Sequence, residues 1–227
     1  MFYLLDKTGL NPYRLTVLVF GLALLAAVTF AGGLTVYVFA VFAAIVVANA
    51  VFRRDNAGAL KNTGATILSF LYPGVFIAFL IATGMMEFGR VYLIVLFLAI
   101  WAADTGAYFV GTAFGKHSLA PKISPKKSIE GLVGGAVACT AVIIIIRLIW
   151  PDVAFDYVWG LILAVILIAG SVFGDLAESA FKRDAGVKDS GGILPGHGGI
   201  LDRFDGIFVC APLMFLFVQI YNFLALR

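Results

Sequence analysis

Tyr157-Val-Trp-Gly-Leu-Ile-Leu-Ala-Val-Ile-Leu-Ile-Ala-Gly-Ser-Val-Phe-Gly-Asp-Leu-Ala-Glu-Ser-Ala-Phe-Lys-Arg183 is an apolar run that turns polar without a break in helical rhythm. Residues 157–173 carry no charged side chain, enough to cross most of a hydrocarbon core that needs roughly 17 to 25 helical residues. The polar residues that follow, Asp175, Glu178, Ser179 and Lys182, recur at helical spacing and so fall on one stripe of a continuing helix. The rest of the chain agrees with this stretch. Hydrophobic residues make up 62% of the 227, charged residues only 13%, and the mean hydropathy is +1.04. Soluble domains hold roughly 45 to 50% apolar residues, so the expected fold class is an all-α integral membrane protein.

Seven segments have the length and composition of spans: Leu15 to Ala31, Leu34 to Phe52, Thr66 to Thr83, Val91 to Gly111, Leu132 to Trp150, Tyr157 to Glu178 and Gly206 to Leu226. This predicts a polytopic bundle of about seven transmembrane helices with functional loops on the cytoplasmic side. Gly32-Gly33 leaves room only for a tight turn between the first two. Pro73-Gly74 and Pro212 fall inside spans, where neighbouring helices can satisfy the freed backbone. One transmembrane domain, residues 1–227, holds all seven, with 1–90 as N-terminal helices and 91–227 as the functional part. The first apolar run leads into more membrane without a small-residue cleavage site, so no cleavable signal peptide is expected. Of the 16 Lys and Arg residues, all but Arg90, Arg147 and Arg227 fall on one side of this arrangement. By the positive-inside rule that side is cytoplasmic, with the N-terminus in and the C-terminus out. Cys139 and Cys210 sit alone in apolar runs and read as packing residues.

Acidic residues at membrane depth need a reason. Asp104 lies inside the fourth span, in Trp101-Ala-Ala-Asp-Thr-Gly-Ala-Tyr108, where a lone carboxylate costs about 2.5 to 3.5 kcal/mol. Thr105 and Tyr108 are local candidates to hydrogen-bond it. Glu178 with Lys182 is an ordinary i, i+4 pair, but that pairing does not account for Asp175 one turn deeper. Asp202-Arg-Phe-Asp205 opens the seventh span. Helix capping explains one carboxylate there and leaves Arg203 and the second Asp unexplained. Two helix ends thus supply hard oxygen ligands, which suit Mg²⁺ rather than zinc in a chain with only two His.

Glycines recur from Gly186 to Gly199, ending in Pro195-Gly-His-Gly-Gly199, beside Lys182, Arg183 and Lys188. Such a loop lets backbone N–H groups approach an anion. His197 reads equally as a catalytic acid or phosphate donor and as a satisfied loop residue. The preceding cytoplasmic loop carries Ser124-Pro-Lys-Lys-Ser-Ile-Glu-Gly131 before a glycine-rich helix start, a pattern suited to phosphate. Lys116, His117 and Lys122 read as topology determinants. Metal ligands and cations on two cytoplasmic loops are the equipment of phosphoryl or nucleotidyl transfer. No Walker A loop or dinucleotide fingerprint is present.

At these residues the sequence closely resembles the phosphatidate cytidylyltransferase (CDP-diacylglycerol synthase) family. The family pattern S-x2-K-R-x4-K-D-x5-P-x-H-G-G-x2-D-R-x-D is matched at every fixed position by Ser179 through Asp205. Ala103 to Gly111, Ser124 to Gly131 and Gly174 to Ser179 also look like this family, while the N-terminal hundred residues match only as hydrophobic spans.

The resemblance implies that CTP and phosphatidic acid give CDP-diacylglycerol and pyrophosphate in phospholipid biosynthesis, at a bacterial inner (plasma) membrane, with no nucleic-acid polymer as partner. It assigns Asp175 and Asp202 as leading Mg²⁺ ligands and Asp205 as a further one, with a second cation as an option. Lys182, Arg183, Lys188 and Arg203 would hold the phosphates, with His197 among the catalytic group. Lys126 and Lys127 would neutralise the pyrophosphate. Ser124, Ser179, Asp189, Gly198 and Gly199 join the substrate-binding set, Asp104 and Glu178 support it, and the family suggests a homodimer. Two other readings stay open: a relative acting on another lipid phosphate, such as an isoprenoid glycerol phosphate, and a non-catalytic transporter or channel. The CDP-alcohol phosphotransferase pattern fails, because Asp205-Gly206 is followed by Ile-Phe-Val-Cys.

Overall fold

Helix dominates because a backbone in lipid must satisfy its own polar groups. The computed structural model describes residues 1–52, 58–151, 155–192 and 198–225. Pro195 and His197, and the topology-marking Arg53, Arg54, Asp152 and Arg227, lie outside the described residues. In order, the elements are α1 (Phe2–Lys7), α2 (Arg14–Phe30), α3 (Thr35–Val51), α4 (Ala59–Ser69), α5 (Phe76–Gly84), α6 (Gly89–Phe114), β1 (Ser118–Ala120), β2 (Ser124–Ser128), α7 (Ile129–Ile149), α8 (Tyr157–Asp184) and α9 (Leu201–Ala225). The protein is an all-α polytopic membrane protein. Six helical stretches among the described residues are long and apolar enough to cross a membrane. The remaining expected span, the first in chain order, is α2, which has 17 residues, at the short limit for a hydrocarbon core.

The chain divides into two compact units, Met1–Ala82 with Phe181–Arg203, and Thr83–Ala180 with Phe204–Arg227. In the first unit a 3-10 turn at Gly32–Leu34 joins α2 to α3. Val17, Leu24, Phe42, Val46, Phe70 and Ala78 form its core, where Phe42 and Phe70 stack at 4.0 Å. A π-helical turn, Phe70–Val75, carries Pro73 between α4 and α5, so the missing proline N–H falls where the ladder is already widened. Two polar side chains of α4 hold the chain leading into α2: the Asn11 N–H donates to Asn62 Oδ1 at 2.8 Å and the Tyr13 N–H to Thr66 Oγ1 at 2.9 Å.

In the second unit small residues set the helix spacing. A Cβ on Gly106 of α6 would lie 2.7 Å from the Gly134 carbonyl oxygen of α7, and one on Gly135 would lie 2.7 Å from that of Ala103. A Cβ on Gly174 of α8 would lie 2.5 Å from the Asp205 carbonyl oxygen of α9. These are backbone-to-backbone approaches of the small-residue kind that packs helices in lipid. At the far end Phe155 meets Tyr92, Phe217 and Tyr221 with ring centroids 5.2, 5.0 and 4.9 Å away. Arg147 lies over the Tyr157 ring at 6.0 Å. Cys139 and Cys210 are buried and free, and the Cys210 thiol donates to the Leu167 carbonyl at 3.3 Å.

The stretch read from sequence as a plain cytoplasmic loop contains the one sheet among the described residues. β1 and β2 pair antiparallel, Ser118 opposite Ser128 and Ala120 opposite Ser124. Lysines repel across a helix turn but alternate cleanly along a strand, and β2 holds Ser124-Pro-Lys-Lys-Ser128.

Candidate functional site

Helix packing brings carboxylates and lysines of the second unit to one cavity. Asp104, Tyr108, Gly111 and Thr112 of α6, Lys126, Lys127 and Ser128 of β2, Gly131 of α7, and Ser171 and Asp175 of α8 line a space of about 390 Å³. That volume falls in the usual range for small-ligand pockets. Each membrane-depth Asp lies next to, or two residues from, a glycine that admits a neighbouring helix: Asp104 with Gly106, Asp175 with Gly174, Asp205 with Gly206. A short Asp side chain reaches across a helix interface only where the backbones come this close, so these glycines set the carboxylate spacing. Asp104, Asp175 and Asp205 lie within electrostatic range of one another, and Asp205 also feels Glu178.

The cavity has its own internal pairing. Lys127 Nζ forms an ion pair with Asp175 Oδ2, the two side chains 24% and 38% exposed. Ser179 Oγ donates to Asp175 Oδ1 at 3.3 Å. Asp104 is hydrogen-bonded by Ser171 and attracted by Lys127, whereas Thr105 donates instead to the Trp101 carbonyl at 2.7 Å. Ser171, absent from the sequence reading, is one helical turn before Asp175, and that i, i+4 relation was its available signal. Glu178 is fully buried in α8. Lys126 is exposed.

The polar run after α8 forms a second cluster, within the first unit. The helix ends in a Schellman turn: the Val187 N–H donates to the Lys182 carbonyl at 3.0 Å and the Gly186 N–H to that of Arg183 at 3.1 Å. Gly186 takes φ +66, the left-handed position where glycine carries no Cβ penalty. Asp202, in the first turn of α9, then gathers the loop. Lys182 Nζ donates to its Oδ1 at 2.8 Å. The Ser190 N–H, the Ser190 hydroxyl and the Gly199 N–H reach its Oδ2 at 2.8, 2.7 and 2.7 Å. Gly198, at φ +79, has no room for a Cβ beside that carboxylate. Arg183, Lys188, Asp189 and Arg203 are exposed. Both Asp202 oxygens are thus engaged by protein donors, where the resemblance makes it a metal ligand.

Among the described residues no three His, Cys, Asp or Glu side chains form a ready-made metal cage. Mg²⁺ rarely has one: it is held by one or two carboxylates, with water and substrate phosphates completing its shell. Asp175 at the cavity and Asp205 near it supply that kind of hard-oxygen donor set, so the residues fit the ion.

The cytidylyltransferase family pattern matches residues 5–221. The chain belongs to the cytidylyltransferase family. It is 44% identical over 166 residues to a phosphatidate cytidylyltransferase of Staphylococcus saprophyticus, covering 73% of this chain and 63% of that protein. It is 35% identical over 193 residues to the protein of the same name from Bacillus subtilis, covering 85% and 71%. A Staphylococcus aureus relative of that name is 42% identical over 160 residues, covering 70% and 60%. The chain therefore spans less than two thirds of the staphylococcal relatives it matches. In this chain the cavity is where the lysine strand meets the acids, with Lys127 paired to Asp175.

Proposed function

We propose that the protein transfers the cytidylyl group of CTP to phosphatidic acid, giving CDP-diacylglycerol and pyrophosphate, in the plasma membrane with its polar loops in the cytoplasm. The observation that carries this reading is the cavity lined by Lys126, Lys127, Asp104 and Asp175. Family membership supports the nucleotide, the relatives' names support the lipid, and the distribution of Lys and Arg supports the orientation, N-terminus in and C-terminus out.

The chemistry asks little covalent work of the protein. An anionic oxygen of the lipid phosphate attacks the α-phosphorus, the bond from that phosphorus to the bridging oxygen breaks, and pyrophosphate leaves with the electron pair. Catalysis then rests on positioning and charge neutralisation. Lys126 and Lys127 bind the departing phosphates and offset charge that grows as the bond breaks. Ser171 fixes Asp104, and Ser179 orients Asp175. The Asp202 carboxylate holds Lys182 and the loop at Ser190 and Gly199, and the exposed cations Arg183, Lys188 and Arg203 would bind phosphate. Asp175 and Asp205 would hold Mg²⁺, which when bound neutralises the triphosphate.

Purified protein with labelled CTP, assayed against phosphatidic acid and a panel of other lipid phosphates with and without Mg²⁺, tests the reading. The expected result is pyrophosphate release with phosphatidic acid preferred. Preference for an isoprenoid glycerol phosphate would move the substrate, and no CTP-dependent pyrophosphate release with any lipid would remove the enzyme reading in favour of a transporter.

A further inference from the structure

Glu130 occupies the first turn of α7, where an acid is favoured by the helix dipole with no partner at all. Here it has three. Its Oε2 accepts the backbone N–H groups of Lys116 and His117 at 3.1 and 3.3 Å, and its Oε1 meets His117 Nδ1 at 2.6 Å. Beside this carboxylate the Ile129 N–H donates to the His117 carbonyl at 2.9 Å, and Ser128, the N-cap of α7, accepts from the Gly131 N–H at 3.0 Å. Together these bonds close the base of the β1–β2 hairpin where it leaves α6 and enters α7.

The hairpin is short, and an isolated two-stranded hairpin is marginal in water. Its pairing register shifts between Ser118 and Ala120, so the strands alone do not fix where Lys126 and Lys127 stand. Register decides that, since a one-residue slip sends every side chain of a strand to the opposite face. A carboxylate rooted in the rigid first turn of α7 and bonded to both residues preceding β1 removes that freedom.

We propose that Glu130, through His117 and the backbone of Lys116, is the positioning residue that holds the lysine strand in register over the cavity. The effect on turnover rests on the cytidylyltransferase reading above; the clamp itself does not. Glu130 touches no reacting atom. It acts through Lys126 and Lys127, and therefore on the leaving phosphates rather than on the lipid.

The test joins a structural and a kinetic measurement on the full chain in nanodiscs. Hydrogen exchange of the Ser118 to Ser128 amides is followed in wild type, Glu130→Ala, Glu130→Gln and His117→Ala. In Glu130→Ala the hairpin should lose protection and kcat should fall by about ten- to a hundred-fold, with KM for the lipid phosphate unchanged. Glu130→Gln keeps a carbonyl acceptor for the two backbone N–H groups and should lie closer to wild type than to the Ala variant. Combined with Lys126→Ala and Lys127→Ala, Glu130→Ala should add little further loss, as expected for residues that act as a unit. Undiminished hairpin protection in Glu130→Ala, or lost protection with unchanged kinetics, would overturn the proposal. If Glu130→Ala does not insert, His117→Ala decides the same question by the same two readouts. If wild-type protein releases no pyrophosphate, the enzyme reading fails, and the exchange data alone decide the clamp.

Discussion

Lys127 on the short strand β2 and Asp175 in the C-terminal half of α8 form an ion pair at the wall of the cavity. Each is partly open, so the pair contributes only about 0 to 1 kcal/mol to stability. Its interest is chemical: the cation proposed for the leaving phosphates and the carboxylate proposed for Mg²⁺ share one place. Asp175→Asn should fold and insert normally while turnover falls below about a tenth of wild type, a loss above roughly 1.4 kcal/mol. Turnover and thermal midpoint measured on one preparation check this. Near-wild-type turnover would remove Asp175 from the site.

The glycine beside that carboxylate offers an independent check. Gly174→Ala puts a Cβ 2.5 Å from the Asp205 carbonyl oxygen, so α8 and α9 must part, at a cost of about 1 to 3 kcal/mol. Activity should fall further than stability does, because Asp175 and Asp205 separate with the helices. Gly21→Ala, which meets nothing within 4 Å, should leave both unchanged. Equal thermal midpoints for the two variants would show that the close approach is dispensable.

Asp202 makes a different prediction, because its carboxylate serves four donors. Asp202→Ala should cost about 1.5 to 3 kcal/mol or more and strip protection from the Ser190 and Gly199 amides. Lys182→Ala should cost less, since three donors remain on Oδ2. Intact amide protection in Asp202→Ala would mean that the loop is held by something else.

Chelation should abolish pyrophosphate release, and Mg²⁺ should restore it where Zn²⁺ does not, because the available donors are carboxylate oxygens without a neighbouring thiolate. Full turnover in excess chelator would exclude a role for the ion in this protein.

Orientation can be read by labelling. A cysteine introduced at Gly186, beside Lys182, Arg183 and Lys188, should react only from the cytoplasmic side, and one at Glu87, between α5 and α6, only from the outside. Reaction of both from one side would break the arrangement of spans.

By itself the sequence determined the class of the protein, the stretches that become helices and the polar residues proposed to carry its chemistry. Those properties are local: hydropathy decides what enters lipid, and a period of 3.6 decides that Asp175, Glu178, Ser179 and Lys182 share a stripe of α8. The unbroken match from Ser179 to Asp205 named a family from the same kind of information. Pairing between distant residues was beyond its reach. Lys182 has Glu178 as its helical neighbour, and nothing in that spacing shows that its ammonium reaches Asp202, 20 residues on. Asp104 has Thr105 and Tyr108 beside it, yet its hydroxyl partner is Ser171 on another helix. Lys116, His117 and Lys122 read as topology determinants, and the hairpin fold alone joins His117 to Glu130. Tertiary structure decides these contacts because they depend on how closely two backbones approach, and at Gly106, Gly174 and Gly206 that distance is set by the side chain the residue lacks.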